Sequence, residues 1–121
     1  PHPDHLLSYQ QADVFLDPFP HGGGVVAMEQ LWMGVPVCTL YGTQPSGRTA
    51  ASVLTLMGRK DWVARTPEEY VEVAVRMAGD AEVRKARKTL RDEFLNCPAV
   101  KGYVPAVEEA YRSMWKEYCQ Q

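Results

Sequence analysis

The sequence predicts an α/β fold in which a short parallel sheet is flanked by helices and followed by a helical C-terminal stretch. Three observations carry that reading. Val14, Phe15 and Leu16 form a brief, wholly apolar run of the kind a buried parallel strand shows, closed by the turn formers Asp17, Pro18 and Pro20. After Gly22, Gly23 and Gly24 the apolar spacing becomes helical, and a second apolar strand follows at once, giving strand, glycine turn, helix, strand. From Thr66 onward the pattern is helical throughout, punctuated by capping residues.

Taken in order, Pro1 to Asp4 reads as a loop, and Asp4 caps a short helix to about Gln11 with Leu6, Leu7 and Tyr9 available for packing. The helix that opens at Val25 places Val25, Met28, Leu31 and Trp32 on one face and stops at Gly34. Val35 to Leu40 is the second strand, with Pro36 tolerated at its start. The loop from Tyr41 to Ser46 leaves the carboxyl end of that strand, where open α/β sheets bind ligands. Thr43 or Ser46 is placed to cap a helix over Gly47 to Met57, which Gly58 ends, and Asp61 to Ala64 is a short third strand.

The helical remainder starts with Thr66-Pro67-Glu68-Glu69: an N-cap threonine, proline at the first helical position and a glutamate to close a capping box. Tyr70, Val71, Val73, Ala74, Val75 and Met77 give this helix a broad apolar face up to Gly79. Asp80 caps a further helix to about Phe94, with Val83, Leu90 and Phe94 inward and Arg84, Lys85, Arg87, Lys88 and Arg91 outward. Asn96-Cys97-Pro98 breaks it. From Tyr103, the residues Val104, Val107, Tyr111, Met114, Trp115 and Tyr118 repeat at i, i+3 and i+4.

Chemistry concentrates at the glycine turn. Glycines leave no side chain between the backbone and an approaching group, and Gly22 is the position expected to need positive φ. A helix opening out of them presents unpaired N–H groups and the positive end of its dipole, which favour a phosphate. Neither G-x-G-x-x-G nor a GK[ST] is present, so a tight turn with no ligand accounts for the same residues. Glu29, near the second turn of that helix, is placed to accept hydroxyl protons from a ribose behind the phosphates; a solvated helix-face carboxylate is the other reading.

Composition narrows the classes. With 121 residues, 45% of them hydrophobic, the chain builds at most one core. A formal net charge of −2 offers no electrostatic case for nucleic acid or an anionic membrane, and the basic run Arg84 to Arg91 reads as a solvated face rather than a dock for an acidic partner. No apolar run approaches a membrane span and no signal peptide is seen, while three scattered cysteines, Cys38, Cys97 and Cys119, suit a reduced cytoplasmic protein. His2, His5 and His21 lack metal-ligand spacing, so no metal is expected. The start at Pro1, with no leading strand, is expected of a piece cut from a longer polypeptide.

The stretch DPFPHGGGVVAMEQLWMGVPV, followed by SGRTAASVLTLMG and closing with AYRSMWKEY, resembles the C-terminal part of family 41 glycosyltransferases, the O-linked N-acetylglucosamine transferase and SPINDLY group, with bacterial protein N-glucosyltransferases as cousins. The likeness runs from PHPDH to the last helix. It implies a Rossmann-like half of a GT-B C-terminal domain. Residues 1–121 would then be a single donor-binding subdomain of a larger two-domain glycosyltransferase acting on a protein or peptide acceptor.

The resemblance also assigns residues. His5 matches the histidine that lies against the uracil ring, a position that the bare sequence reads as a surface histidine; Gly22, Gly23, Gly24, Val25 and Val26 would face the pyrophosphate, and Glu29 the ribose of a UDP-sugar. Arg48 matches a family arginine, although a solvated charge explains it equally. Two departures are visible: His2 stands where a lysine is common, and Gly24, Val25 and Val26 replace a histidine and two threonines, so phosphate binding would rest on backbone N–H groups and the helix dipole. The catalytic histidines and aspartate proposed for the family lie in the N-terminal domain, so no catalytic residue is assigned here. The last helix would cross back towards that domain, though ordinary core packing explains its stripe as well. A non-catalytic interaction module derived from a Rossmann-like fold, or a GT-B transferase of another family using another nucleotide, are the competing readings.

Overall fold

The computed structural model describes residues 3–120, so His2 lies outside the described residues. Helix α1 (Pro3–Tyr9) leads to strand β1 (Phe15–Leu16), helix α2 (Val25–Trp32) and strand β2 (Val37–Leu40). Next come α3 (Thr49–Leu56), β3 (Val63–Ala64), α4 (Pro67–Gly79), α5 (Ala81–Ala86), α6 (Leu90–Asn96), α7 (Pro98–Lys101) and α8 (Tyr103–Tyr118). The sheet is parallel in the order β1-β2-β3, with Phe15 opposite Val37, Leu16 opposite Cys38, Thr39 opposite Val63 and Leu40 opposite Ala64. A short parallel sheet with helices around it is the expected α/β architecture.

Parallel strands are flanked on both faces, and the core shows it. Val37, Cys38 and Thr39 in β2 are fully buried, with Ala27 and Leu31 of α2, Ala50, Ala51 and Leu54 of α3, Trp62, and Val73 and Met77 of α4 packed around them. Burial pushes the Cys38 thiol up to about 11, against only a partial pull from Arg76. Phe94 and Leu90 of α6 close the core beside α2.

Local signals worked where a side chain could satisfy an orphan amide. Thr66 accepts the N–H of Glu69 at 3.1 Å at the head of α4, and Asp80 accepts that of Glu82 at 2.8 Å at the head of α5. The capping box closes one residue early, with Glu69 reaching back to the amide of Arg65 rather than Thr66. Neither Thr43 nor Ser46 caps α3; a 3₁₀ turn over Pro45–Gly47 leads into it and Arg48 stands at the N-cap without a side-chain capping bond.

Two expectations are corrected, and a choice left open for α8 is narrowed. The helix predicted from Asp80 to Phe94 breaks into α5 and α6, because Thr89 bonds locally to the carbonyl of Ala86 and to Glu93, while Arg87 turns away to reach Asp13 and the carbonyl of Gln10. In α4, Val71 and Val75 of the broad apolar face are exposed, and only Val73 and Met77 are buried. The stripe on α8 is not core: no residue of that helix is buried, and Tyr103, Val104, Tyr111, Met114, Trp115 and Tyr118 are all exposed. Its neighbour is α7, and the apolar seam faces outward.

Candidate functional site

The site is assembled where β1 and β2 end. Asp17 continues the ladder, its N–H donating to the carbonyl of Cys38 at 2.9 Å, and its side chain is then carried into the interior, 2% exposed. One carboxylate oxygen accepts the N–H of Gly23 at 2.6 Å and the other the hydroxyl of Thr39 at 2.7 Å. The Tyr70 hydroxyl donates to the Asp17 carbonyl at 3.0 Å. Burial first, then the nearby Cys38 and Asp17, pushes Tyr70 up to about 12. Asp17 thus holds the glycine turn from beneath.

The loop after β2 holds it from the side. Gly22 donates to the carbonyl of Ser46 at 3.2 Å, and Gly42 to that of Gly47 at 3.0 Å. A Cβ at Gly47 would sit 2.6 Å from the carbonyl oxygen of Pro20, so the two loops meet backbone on backbone and only glycine fits between them. Arg48 secures this loop: its Nε donates to the carbonyl of Gly42 at 2.8 Å, its Nη2 to that of Thr43 at 2.6 Å, and the guanidinium lies over the Tyr41 ring. That arginine is a loop clamp.

Positive φ falls on Gly24, not on Gly22 as expected. Gly24 is the N-cap of α2 with φ 51° and ψ −110°, and Gly22 has ordinary φ. The reason is the order in which the amides are used. Gly22 and Gly23 commit theirs to Ser46 and Asp17, so the chain must reverse at the next residue to enter the helix. Val26 donates to the carbonyl of Gly23 and Met28 to that of Gly24. Among the described residues, the N–H groups of Gly24, Val25 and Ala27 have no acceptor. Of the five positions from Gly22 to Val26, two therefore offer an amide to a ligand, and Ala27, which the sequence did not single out, offers the third.

Beside this helix start lies an open cleft of about 240 Å³ lined by Leu6, Val25, Met28, Glu29, Trp32 and Phe94. Of the face Val25, Met28, Leu31 and Trp32, only Leu31 is buried, with Ala27 and Gln30, while Val25, Met28 and Trp32 line the cleft beside Glu29. Glu29 stands at its edge with a quarter-exposed side chain. The Tyr9 hydroxyl donates to Glu29 Oε2 at 3.0 Å and lies 2.5 Å from His5 Nε2, and His5 Nε2 is 4.0 Å from the same carboxylate oxygen. Burial, then the hydrogen bond to Glu29 and its charge, raises the Tyr9 phenol above its ordinary value.

The structure therefore brings together His5, Val25 and Glu29, with Gly24 at the adjoining turn, and leaves Arg48 on a separate cleft with Pro45, Thr49, Ser52, Val53, Leu56 and Ala99. Sequence reasoning missed Tyr9 and Asp17. Tyr9 had a signal, since it stands four residues after His5 and so on the same helix face. Asp17 had none that separated it from an ordinary turn former. Among the described residues no cluster of His, Cys, Asp and Glu could hold a metal ion, and no helix is long and apolar enough to cross a membrane.

Known proteins resemble this chain in sequence and fold. Residues 1–97 match the model of glycosyl transferase family 41. The probable UDP-N-acetylglucosamine–peptide N-acetylglucosaminyltransferase SPINDLY of Arabidopsis thaliana is 38% identical over 96% of this chain, and that of Hordeum vulgare is equally similar. The UDP-N-acetylglucosamine–peptide N-acetylglucosaminyltransferase of Caenorhabditis elegans is 33% identical over 95% of the chain. This chain spans only 13% of the length of the plant relatives and 10% of that of the nematode one. A mutant O-GlcNAc transferase of Thermobaculum terrenum superposes with a TM-score of 0.83 at 35% identity, over 99% of this chain and 24% of the other. The likeness extends to α8, so that helix and the Rossmann-like arrangement before it both have a counterpart in a solved transferase. On the family model and on these relatives, the chain belongs to glycosyl transferase family 41.

Proposed function

We propose that this chain is the donor-holding part of a cytoplasmic protein glycosyltransferase, binding a UDP-sugar whose hexose, N-acetylglucosamine or a relative of it, goes to serine, threonine or asparagine of a protein. In this reading residues 1–121 are one subdomain of a larger two-domain enzyme. The acceptor groove and the catalytic base belong to the other domain, so the chain alone transfers nothing. The observation that carries the proposal is the head of α2, where the amides of Gly24, Val25 and Ala27 point their protons at no protein acceptor, one turn from the Glu29 carboxylate. Those amides and the helix dipole would take the diphosphate without a metal, Glu29 a ribose hydroxyl, and His5 the edge of the base. The names of the relatives, which specify UDP-N-acetylglucosamine and peptide, support the same donor and acceptor classes.

The test is calorimetric titration with UDP. Glu29→Gln preserves size but removes the charge from the ribose contact, and should weaken binding by about 1.5–3 kcal/mol. Equal affinity in the two proteins returns Glu29 to a helix-face carboxylate. One observation favours a second reading, a module that binds a protein partner: the outward apolar seam of α8. Absence of UDP binding, with the fold intact, would move that reading ahead.

A further inference from the structure

We infer that Tyr9 is the positioning residue of the nucleoside side of this site, joining His5 and Glu29 in one directed hydrogen-bond relay. The inference rests on the donor-site reading for its consequence in binding, but the relay itself follows from proton counting. A tyrosine hydroxyl has one proton, and a carboxylate oxygen can only accept. The Tyr9 hydroxyl lies 3.0 Å from Glu29 Oε2, so its proton is committed there. Its contact of 2.5 Å with His5 Nε2 then requires that nitrogen to carry the hydrogen and Tyr9 to accept it. The relay runs from His5 Nε2–H to the Tyr9 oxygen, and from the Tyr9 O–H to Glu29.

Two consequences follow for a ligand. In the neutral imidazole, Nδ1 is left with the lone pair and has no donor among the described residues, so the exposed ring offers an acceptor to a ring N–H of a base. Glu29, anchored through Oε2, keeps Oε1 free for a ribose hydroxyl. The rings of His5 and Tyr9 meet edge-on with centroids 4.7 Å apart, which fixes the imidazole plane as well as its proton. Both binding groups are thus pre-oriented by a residue one helical turn from His5, at the end of α1.

Tyr9→Phe tests this, because it keeps the ring against His5 and deletes only the hydroxyl. Proton–nitrogen NMR of the ¹⁵N-labelled chain, near pH 8 and without nucleotide, should show a His5 Nε2–H resonance protected from exchange in the parent and lost in the variant. A protonated Nδ1, or no protected ring proton in the parent, overturns the relay. Titration with UDP should then give a dissociation constant about fivefold weaker for Tyr9→Phe, with the melting temperature little changed. Unchanged UDP affinity alongside the lost resonance overturns the positioning role. UDP binding by neither protein overturns the donor-site reading and the role built on it, whereas the ring-proton spectra judge the relay independently.

Discussion

Asp17 accepts the backbone N–H of Gly23 at 2.6 Å, so a buried carboxylate lies directly behind a turn that faces a proposed anion site. A negative charge there does not help a phosphate electrostatically. Its contribution is geometric: it fixes Gly23 so that the next amides, those of Gly24, Val25 and Ala27, project outward.

Asp17→Ala should therefore be costly. It strands the N–H of Gly23 and the hydroxyl of Thr39 in the interior and leaves a small void, which together cost about 2–4 kcal/mol. Asp17→Asn keeps one acceptor and should lose less than half of that. Urea denaturation of the two variants checks both, and equal stability of parent and Asp17→Ala would show that the turn does not depend on this carboxylate.

The glycines separate space from conformation. Gly24 has φ 51° and nothing within 4 Å of where a Cβ would stand, so Gly24→Ala costs only backbone strain, about 1–3 kcal/mol. Gly22 has ordinary φ, but its Cβ would approach Asp17 Oδ2 to 3.1 Å and the Ser46 carbonyl to 3.4 Å, so Gly22→Val displaces the carboxylate. Thermal melts should find both variants destabilised, with a β-branched residue at Gly24 worse than alanine there. A fully stable Gly24→Thr would contradict the backbone conformation described for α2.

How much of this was legible follows from which residues act locally. Thr66 and Asp80 cap the helices they precede, and the three apolar runs form the sheet, because a side chain reaching its own backbone or a run of apolar residues is written in adjacent letters. Glu29 and His5 were singled out and lie 4.0 Å apart, with Glu29 lining a cleft beside Val25 and Leu6, but the resemblance, not periodicity, pointed to His5. The face Val25, Met28, Leu31, Trp32 was legible, but its spacing does not tell which members line a cleft and which, like Leu31, join the core. For α8 the same spacing left core packing and an outward face equally open, and the helix buries none of its residues. Asp17 and Arg48 act on backbone groups of other loops, Gly23, Gly42 and Thr43, and no local pattern encodes such partners.

Tyr70 ties α4 to the end of β1 through the Asp17 carbonyl, and its titration gives a sign that can be checked. Its folded pKa is raised from 10 to about 12, so the neutral phenol stabilises the fold fully below pH 10 and that contribution fades as pH rises towards 12. Tyr70→Phe should cost about 1 kcal/mol at pH 7 from the lost hydrogen bond. The stability difference between parent and variant should shrink between pH 10 and 12, measured by denaturation across that range. A difference that grows with alkaline pH would reverse the assignment of the buried neutral form.

The central claim, that the head of α2 holds a diphosphate, is tested most directly by an amide NMR titration of the chain with UDP. The resonances of Gly24, Val25 and Ala27 are expected to shift together and saturate with Glu29 and His5, while Gly23, whose proton is held by Asp17, moves less. Saturating UDP that leaves Gly24, Val25 and Ala27 unmoved, or shifts only residues of the separate cleft at Arg48 and Ser52, would contradict it.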